Sequence, residues 1–201
     1  MNACLTVLAK APLPGLAKTR LIPALGAEGA AALAERLLAH TLQEARSAGF
    51  ARLRLLGSPD AAHPALATHA GHAELGAQQG ADLGERMHLA LSEGLRLHAL
   101  ALLIGTDAPA LDADRLREAA RTLQDVDAVF VPALDGGYAL VGLRGRPQPA
   151  LFEAMRWSTP QVMADTRERL RGLGLRWTEL APVADVDEPA DLAALGPEWF
   201  A

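Results

Sequence analysis

Short, continuous apolar runs recur along this chain. Each is followed by a polar or glycine-rich stretch and then by a segment with helical spacing. An apolar run that does not alternate with polar residues suits a strand buried on both faces, and such strands belong to sheets covered by helices on both sides. The runs Leu5–Ala9, Arg52–Leu56, Ala73–Gln78, Leu100–Gly105, Ala128–Ala133, Tyr138–Leu143 and Arg176–Leu180 predict strands. Between them, Ala27–Gly49, Asp60–Ala70, Leu83–His98 and Asp112–Gln124 predict helices. Another helix opens at Ser158-Thr159-Pro160 and runs to about Leu173, and a short one closes the chain at Pro189–Leu195.

The punctuation agrees with these boundaries. Leu33, Leu37, Leu38, Leu42 and Ala45 share one helical face, and Gly49 stands where a left-handed cap is wanted. Asp112 is placed to accept from the first turn after it. Pro160 in a first turn loses no hydrogen bond. Strands alternating with helices require right-handed crossovers and a mainly parallel sheet. The pair around Asp135-Gly136-Gly137 adds an antiparallel element. The expected fold is therefore α/β, one domain over residues 1–201. The linker-like stretch Arg144–Pro149 is too short to divide it.

Composition narrows the function classes. Half of the 201 residues are apolar and 21% are charged, which is globular rather than disordered. Nineteen Lys and Arg against 24 Asp and Glu give a net charge of −5, the wrong sign for a general nucleic-acid or anionic-membrane binder. The single cysteine, Cys4, excludes an intrachain disulfide framework and a cysteine-rich zinc site. Cys4 reads as a small buried hydrophobe. The longest strongly apolar run, Ala99–Ile104, is far short of the ~20 residues of a membrane-spanning helix. No basic region precedes the first apolar stretch, so no secretory signal is expected and the cytoplasm is the expected location.

In an open α/β sheet, ligands bind beyond the carboxyl ends of the strands. After the first run come Lys10, Gly15, Lys18, Thr19 and Arg20. That loop either grips phosphate or is a solvated basic surface. It is not a P-loop, because Ala17 precedes Lys18-Thr19. After the third run come Gln79, Gly80, Leu83 and Gly84, and after the fourth comes Asp107. Asp107 either binds a metal or forms the turn before Pro109. Asp185 and Asp187 alternate on an extended segment, so both carboxylates point one way. They suit a hard cation, although Asp187 equally suits a cap for the helix at Pro189. Asp135-Gly136-Gly137-Tyr138 reads as a tight turn or as part of a site. His63, His69 and His72 lack a ligand-like spacing. No Gly-x-Ser-x-Gly elbow anchors a hydrolase triad.

Five motifs occur in order: Lys10-Ala-Pro-Leu-Pro-Gly-Leu-Ala-Lys-Thr-Arg-Leu21, Gly105-Thr-Asp-Ala-Pro-Ala-Leu111, Asp135-Gly-Gly-Tyr-Ala-Leu-Val-Gly-Leu143, Trp157-Ser-Thr159 and Asp185-Val-Asp-Glu-Pro-Ala-Asp-Leu192. Together they resemble the bacterial proteins labelled radical-SAM/selenodomain-associated transferase 1, a branch of the GT-A glycosyltransferase superfamily that includes nucleotidyltransferase relatives. The resemblance implies a GT-A-like three-layer α/β/α sandwich with a Rossmann-like nucleotide-binding half. It implies a nucleotide donor, a small-molecule acceptor and Mg2+ or Mn2+. It places Lys10, Gly15, Lys18, Thr19 and Arg20 around the donor phosphates and Gln79, Gly80, Leu83 and Gly84 near the nucleoside. Asp107, Asp185 and Asp187 would hold the metal. Asp135, Gly136, Gly137, Tyr138, Trp157, Ser158 and Thr159 would face the acceptor. Two departures stand out: Thr106-Asp107-Ala108 replaces the Asp-x-Asp of many sugar transferases, and the Gly-Gly-x-x-x-Arg-Met-Gly loop of nucleotidyltransferases is absent.

The implied chemistry is group transfer, with Lys18, Arg20 and Asp107 as catalytic candidates that stabilise departing phosphate charge. The cation-rich loop tilts the expectation slightly toward nucleotidyl transfer with pyrophosphate release, while the family label favours sugar transfer. Sugar transfer from a nucleotide-diphospho-sugar and a non-catalytic nucleotide-binding module are the alternatives.

Overall fold

The computed structural model describes residues 1–60 and 63–200. Seven strands form one sheet: β1 (Ala3–Lys10), β2 (Arg52–Ser58), β3 (Glu74–Ala77), β4 (Leu100–Ile104), β5 (Ala128–Pro132), β6 (Tyr138–Arg144) and β7 (Trp177–Glu179). Their spatial order is β3-β2-β1-β4-β6-β5-β7. Only β6 runs antiparallel, between β4 and β5. The other six strands share one direction, so their carboxyl ends lie on one rim. The β5–β6 turn lies on that rim too.

Among the described residues, five α-helices cover the sheet: α1 (Ile22–Ala48), α2 (Pro64–Ala70), α3 (Leu83–Leu95), α4 (Ala113–Thr122) and α5 (Val162–Gly172). Strand parity decides the layers. Leu100, Leu102 and Ile104 of β4 pack with Leu38 and Leu42 of α1, Leu66 of α2 and Leu116 of α4. Ala101 and Leu103, pointing the other way, pack with Met87 and Leu91 of α3 and Met163 and Leu170 of α5. The architecture is the expected three-layer α/β/α sandwich. A third cluster joins Leu21, Leu33 and Leu37 to Val186, Leu192, Leu195 and Trp199, so the C-terminal tail is laid against α1.

Several boundaries differ from the sequence reading. Helix α1 starts earlier, at Ile22, but Gly26 (φ 71, ψ 168) breaks it, so its regular part begins at the expected Ala27. The helix expected at Asp60 begins at Pro64, and positions 61–62 of that expectation lie outside the described residues. No helix opens at Ser158-Thr159-Pro160. Ser158 is left-handed (φ 60), and α5 begins at Val162 after the cap Gln161. The cause is a tertiary contact: Met163 N–H donates to Gly136 O at 2.8 Å, and Pro160 backbone presses on Gly136. The closing helix, Pro189–Ala194, is a 3-10 helix. Its cap is Glu188, in a capping box with Asp191, rather than Asp187. Among the described residues, no helix is long and apolar enough to cross a membrane.

Candidate functional site

The rim holds one groove with two lobes. The first lobe, about 560 Å³, is bordered by Lys10, Lys18, Thr19, Gln78 and Arg86, among others. The second, about 730 Å³, is bordered by Asp135, Gly137, Tyr138, Trp157, Thr159 and Asp185, among others. Arg20, Leu83, Met87, Gly105, Asp107, Tyr138, Ala139, Ser158 and Asp187 line both, which makes them the junction.

Lys18 borders the first lobe and reaches that junction through the carboxylates it binds. It adopts a left-handed backbone (φ 49) just before the 3-10 turn Thr19–Leu21, which turns its side chain inward. Its ammonium donates to Asp107 Oδ1, to Val186 O at 2.6 Å and to Asp187 Oδ1 at 3.0 Å. The side chain is only 7% exposed. Burial alone would lower its pKa, but Asp107 and Asp187 override that and hold it above the ordinary lysine value. Val186 N–H donates to Asp107 O at 2.9 Å, so backbone as well as side chain ties the loop after β4 to the C-terminal tail. Arg20 Nη1 lies 3.8 Å from Asp187 Oδ2.

The second lobe is acidic. Asp135, Asp185, Asp187, Glu188 and Asp191 border it. Burial, then the charge of Asp135, and then Asp187 and Asp191, push the Asp185 carboxyl up to about 6. Asp185 has no ion-pair partner among the described residues. Asp135 also shapes the β5–β6 turn, accepting from Gly137 N–H at 2.8 Å, so it belongs to turn and lobe alike. Tyr138 sits between Phe130 and Trp157 in edge-to-face contacts with centroids 5.2 and 6.4 Å away. Burial raises its phenol pKa above the ordinary value.

The remaining candidates divide. Gly15 (φ 78) shapes the loop but borders neither lobe. Gly80 and Gly84 act through packing. A Cβ at Gly80 would meet Arg86 N at 2.7 Å, and one at Gly84 would meet Phe152 O at 2.6 Å and Trp157 Nε1 at 2.8 Å. Gly84 thereby seats the Trp157 ring against α3. Gly136 works the same way, because a Cβ there would stand 2.2 Å from Pro160 O. Gln79 lies outside both lobes and borders a separate cavity beside β3 and α3, whereas its neighbour Gln78 lines the first lobe. Gln78, Arg86, Met87 and Asp191 were not singled out by sequence. Arg86 carries a faint signal: it stands in the first turn of α3, at the rim, off the apolar stripe Met87, Ala90 and Leu91.

The profile of a family described as "Uncharacterized protein conserved in bacteria (DUF2064)" matches residues 41–159. Among solved structures, a "putative nucleotide-diphospho-sugar transferase" from Desulfovibrio desulfuricans G20 superposes with TM-score 0.85 at 33% identity, over 93% of this chain and 83% of that one. The CMP:2-keto-3-deoxy-manno-octonic acid synthetase complexed with CTP gives TM-score 0.59 at 11% identity, over 96% of each chain. Rv0371C of Mycobacterium tuberculosis H37Rv, in complex with manganese, gives 0.57 at 19% identity, over 96% of this chain and 97% of that one. The latter two likenesses concern the fold. No curated protein matches the sequence.

Proposed function

Because the chain belongs to the DUF2064 family of proteins conserved in bacteria, and its fold is that of nucleotide-dependent transferases, we propose that it moves a glycosyl group from a nucleotide-diphospho-sugar to a small acceptor. The donor lies in the first lobe and the acceptor in the second. The observation that carries this reading is the set of partners of Lys18: from the first lobe its ammonium holds Asp107 and Asp187, two carboxylates that line both lobes. The motifs favour the radical-SAM/selenodomain-associated transferase 1 branch.

Sugar transfer rather than nucleotidyl transfer follows from the same residue. The case for a triphosphate was the cation-rich loop after β1. Lys18 is committed to Asp107 and Asp187, and Lys10 borders only the first lobe. Arg20, exposed and only loosely paired with Asp187 at 3.8 Å, is left to meet phosphate at the junction, which suits a diphosphate better than a triphosphate. The 33%-identical relative, a "putative nucleotide-diphospho-sugar transferase", supports the same choice.

The acidic lobe fits a hard divalent ion. Asp185 is crowded by three carboxylates and lacks a cation. Among the described residues, no three ligand-type side chains converge on one point. Asp185 with Asp187 or Asp107 would hold Mg2+ or Mn2+, hard ions that bind through one or two carboxylates. When bound, the ion supplies charge neutralisation to the diphosphate. The chain's own residues do the rest. Arg20 grips the leaving diphosphate, Lys18 holds Asp107 and Asp187 in register, and Tyr138 and Trp157 wall the acceptor from water.

The test is product analysis with Mg2+, panels of nucleotide sugars and nucleotides, and candidate acceptors. Release of a nucleoside diphosphate is expected. Release of pyrophosphate from a nucleoside triphosphate would overturn this reading in favour of nucleotidyl transfer.

A further inference from the structure

Gln78 has an unusual hydrogen-bond state. It follows β3, and its own N–H donates to Gly57 O at 2.9 Å. Its side-chain Nε2 donates to Ala9 O at 2.9 Å and to Leu56 O at 3.0 Å. Both amide hydrogens are therefore spent on the ends of β1 and β2. The opposite amide orientation would set an oxygen against two carbonyl oxygens, so the donor–acceptor assignment is fixed. Its Oε1 accepts from nothing among the described residues, yet it is not a buried orphan. Gln78 thus offers the first lobe one acceptor in a fixed place.

Two donors accompany it. Lys10 is the next residue after Ala9, whose carbonyl the Gln78 amide holds. Arg86 is anchored through Nε to Gly80 O at 3.1 Å, two residues beyond Gln78. Among the described residues, the Arg86 guanidinium has no carboxylate partner. Lys10, Gln78 and Arg86 all border the first lobe and none borders the second, so they line the part of the donor lobe that the acceptor lobe does not share.

From this juxtaposition we infer that the far end of the donor lobe reads the imide edge of a uracil or thymine base. Gln78 Oε1 accepts the ring N–H, and Lys10 and Arg86 donate to the two flanking carbonyls. The inference rests on the first lobe being the donor site. A uracil or thymine ring presents acceptor, donor, acceptor along this edge, the complement of donor, acceptor, donor. Cytosine would bring a ring-nitrogen acceptor against Gln78 Oε1. Adenine would do the same and carries no carbonyl. Guanine satisfies Gln78 and one donor but sets its exocyclic amine against the other cation. A site built to hydrogen-bond one pattern leaves its polar groups unpaired with another, and that produces discrimination.

The test is calorimetric binding of UDP, CDP, GDP and ADP to the full chain in the presence of Mg2+, which needs no acceptor and no turnover. UDP is expected to bind roughly ten- to a hundredfold more tightly than CDP or ADP, with GDP between. Binding of all four without preference, or tighter binding of CDP or ADP, overturns the base assignment and leaves the donor site standing. Binding of none of the four overturns the donor site and the inference together. Gln78→Met is expected to erase the UDP-over-CDP preference by weakening UDP alone. That variant also loses two bonds to the sheet, so Arg86→Met, which touches no strand backbone, provides the second measurement. It is expected to reduce the preference several-fold, and an undiminished preference in both variants counts against the proposal.

Discussion

The Lys18 ammonium donates to one oxygen each of Asp107 and Asp187 and to the carbonyl of Val186. A buried ammonium is tolerated only with such compensation. The two carboxylates are 48% and 42% exposed on their side chains, so solvent screens their share of the interaction. Lys18→Met is therefore expected to cost a modest ~1–2 kcal/mol of stability. It should cost turnover much more, about a hundredfold, because the junction loses its preorganised charge. Denaturant unfolding and initial rates measured on the same variant separate the two effects, and near-normal turnover would refute the assigned role. Asp185 makes a prediction in pH. Its folded-state pKa, about 6, stands above the usual carboxylate value of 3.8. The folded state thus holds its proton more tightly than the unfolded chain does. The resulting stabilisation is complete below the unfolded pKa, and is lost as pH rises through about 6. Asp185→Asn removes a carboxylate that is unfavourable when charged. Its melting temperature should exceed that of the parent at pH 8 and converge with it near pH 4. A constant difference across that range would show that the Asp185 charge is not the cause. Manganese binding followed by electron paramagnetic resonance should weaken in the same variant.

At the scale of elements, the segment 157–161 depends on a direct backbone contact beside the acceptor lobe. Gly136 has φ 94, and any Cβ there would overlap the Pro160 carbonyl. Gly136→Ala should therefore destabilise the protein by roughly 1–3 kcal/mol through strain and displacement. The Michaelis constant for the acceptor should rise more than that for the donor, because Ser158 and Thr159 move with Pro160. Equal changes in both constants would place the contact outside acceptor binding. The same contact explains why the chain reads as helical from Ser158 and is not. Ser-Thr-Pro is a good helix opening locally, and a packing partner more than twenty residues upstream overrides it. The strands were legible because burial on both faces writes a continuous apolar run, as in Leu100–Ile104. The acidic segment was legible because side-chain parity sends Asp185 and Asp187 one way and the buried Val186 the other. Parity is also what hid Gln78. After β3 one residue's difference decides which side chain enters the groove, and Gln79 is the one that turns away. The partners of Lys18 lie 89 and 169 residues away along the chain, beyond any local pattern.

For the molecule as a whole, the groove is closed by its own C-terminal tail. Residues Asp185 and Asp187 come from a segment that pairs with the sheet through the bridge of Val183 to Ala133 and is tied to the loop after β4 by Val186 N–H and to Lys18. Val186, Leu192, Leu195 and Trp199 also hold their position by packing on Leu21 and on Leu33 and Leu37 of α1. Trp199 also meets His40 edge-on at 5.2 Å, and its carbonyl accepts from Arg36 Nη1 at 2.9 Å. The tail is thus a clamp whose hydrophobic end is remote from the groove and whose acidic end forms the junction with Lys18. Trp199→Ala should remove only part of the ~3–5 kcal/mol that truncating a fully buried tryptophan costs, about 1–3 kcal/mol, because the ring is half-buried. It should also weaken nucleoside diphosphate affinity several-fold without touching a groove residue, because it loosens Asp187 and with it the hold on Lys18. Leu97→Ser is the control. Leu97 is 68% exposed at the opposite end of the strands, and its loss should change stability by no more than about 0.5 kcal/mol and affinity not at all. Should Trp199→Ala lower stability while leaving nucleotide affinity at the parental value, the tail would be a structural cover alone, and Lys18 would owe its position to the loop after β4.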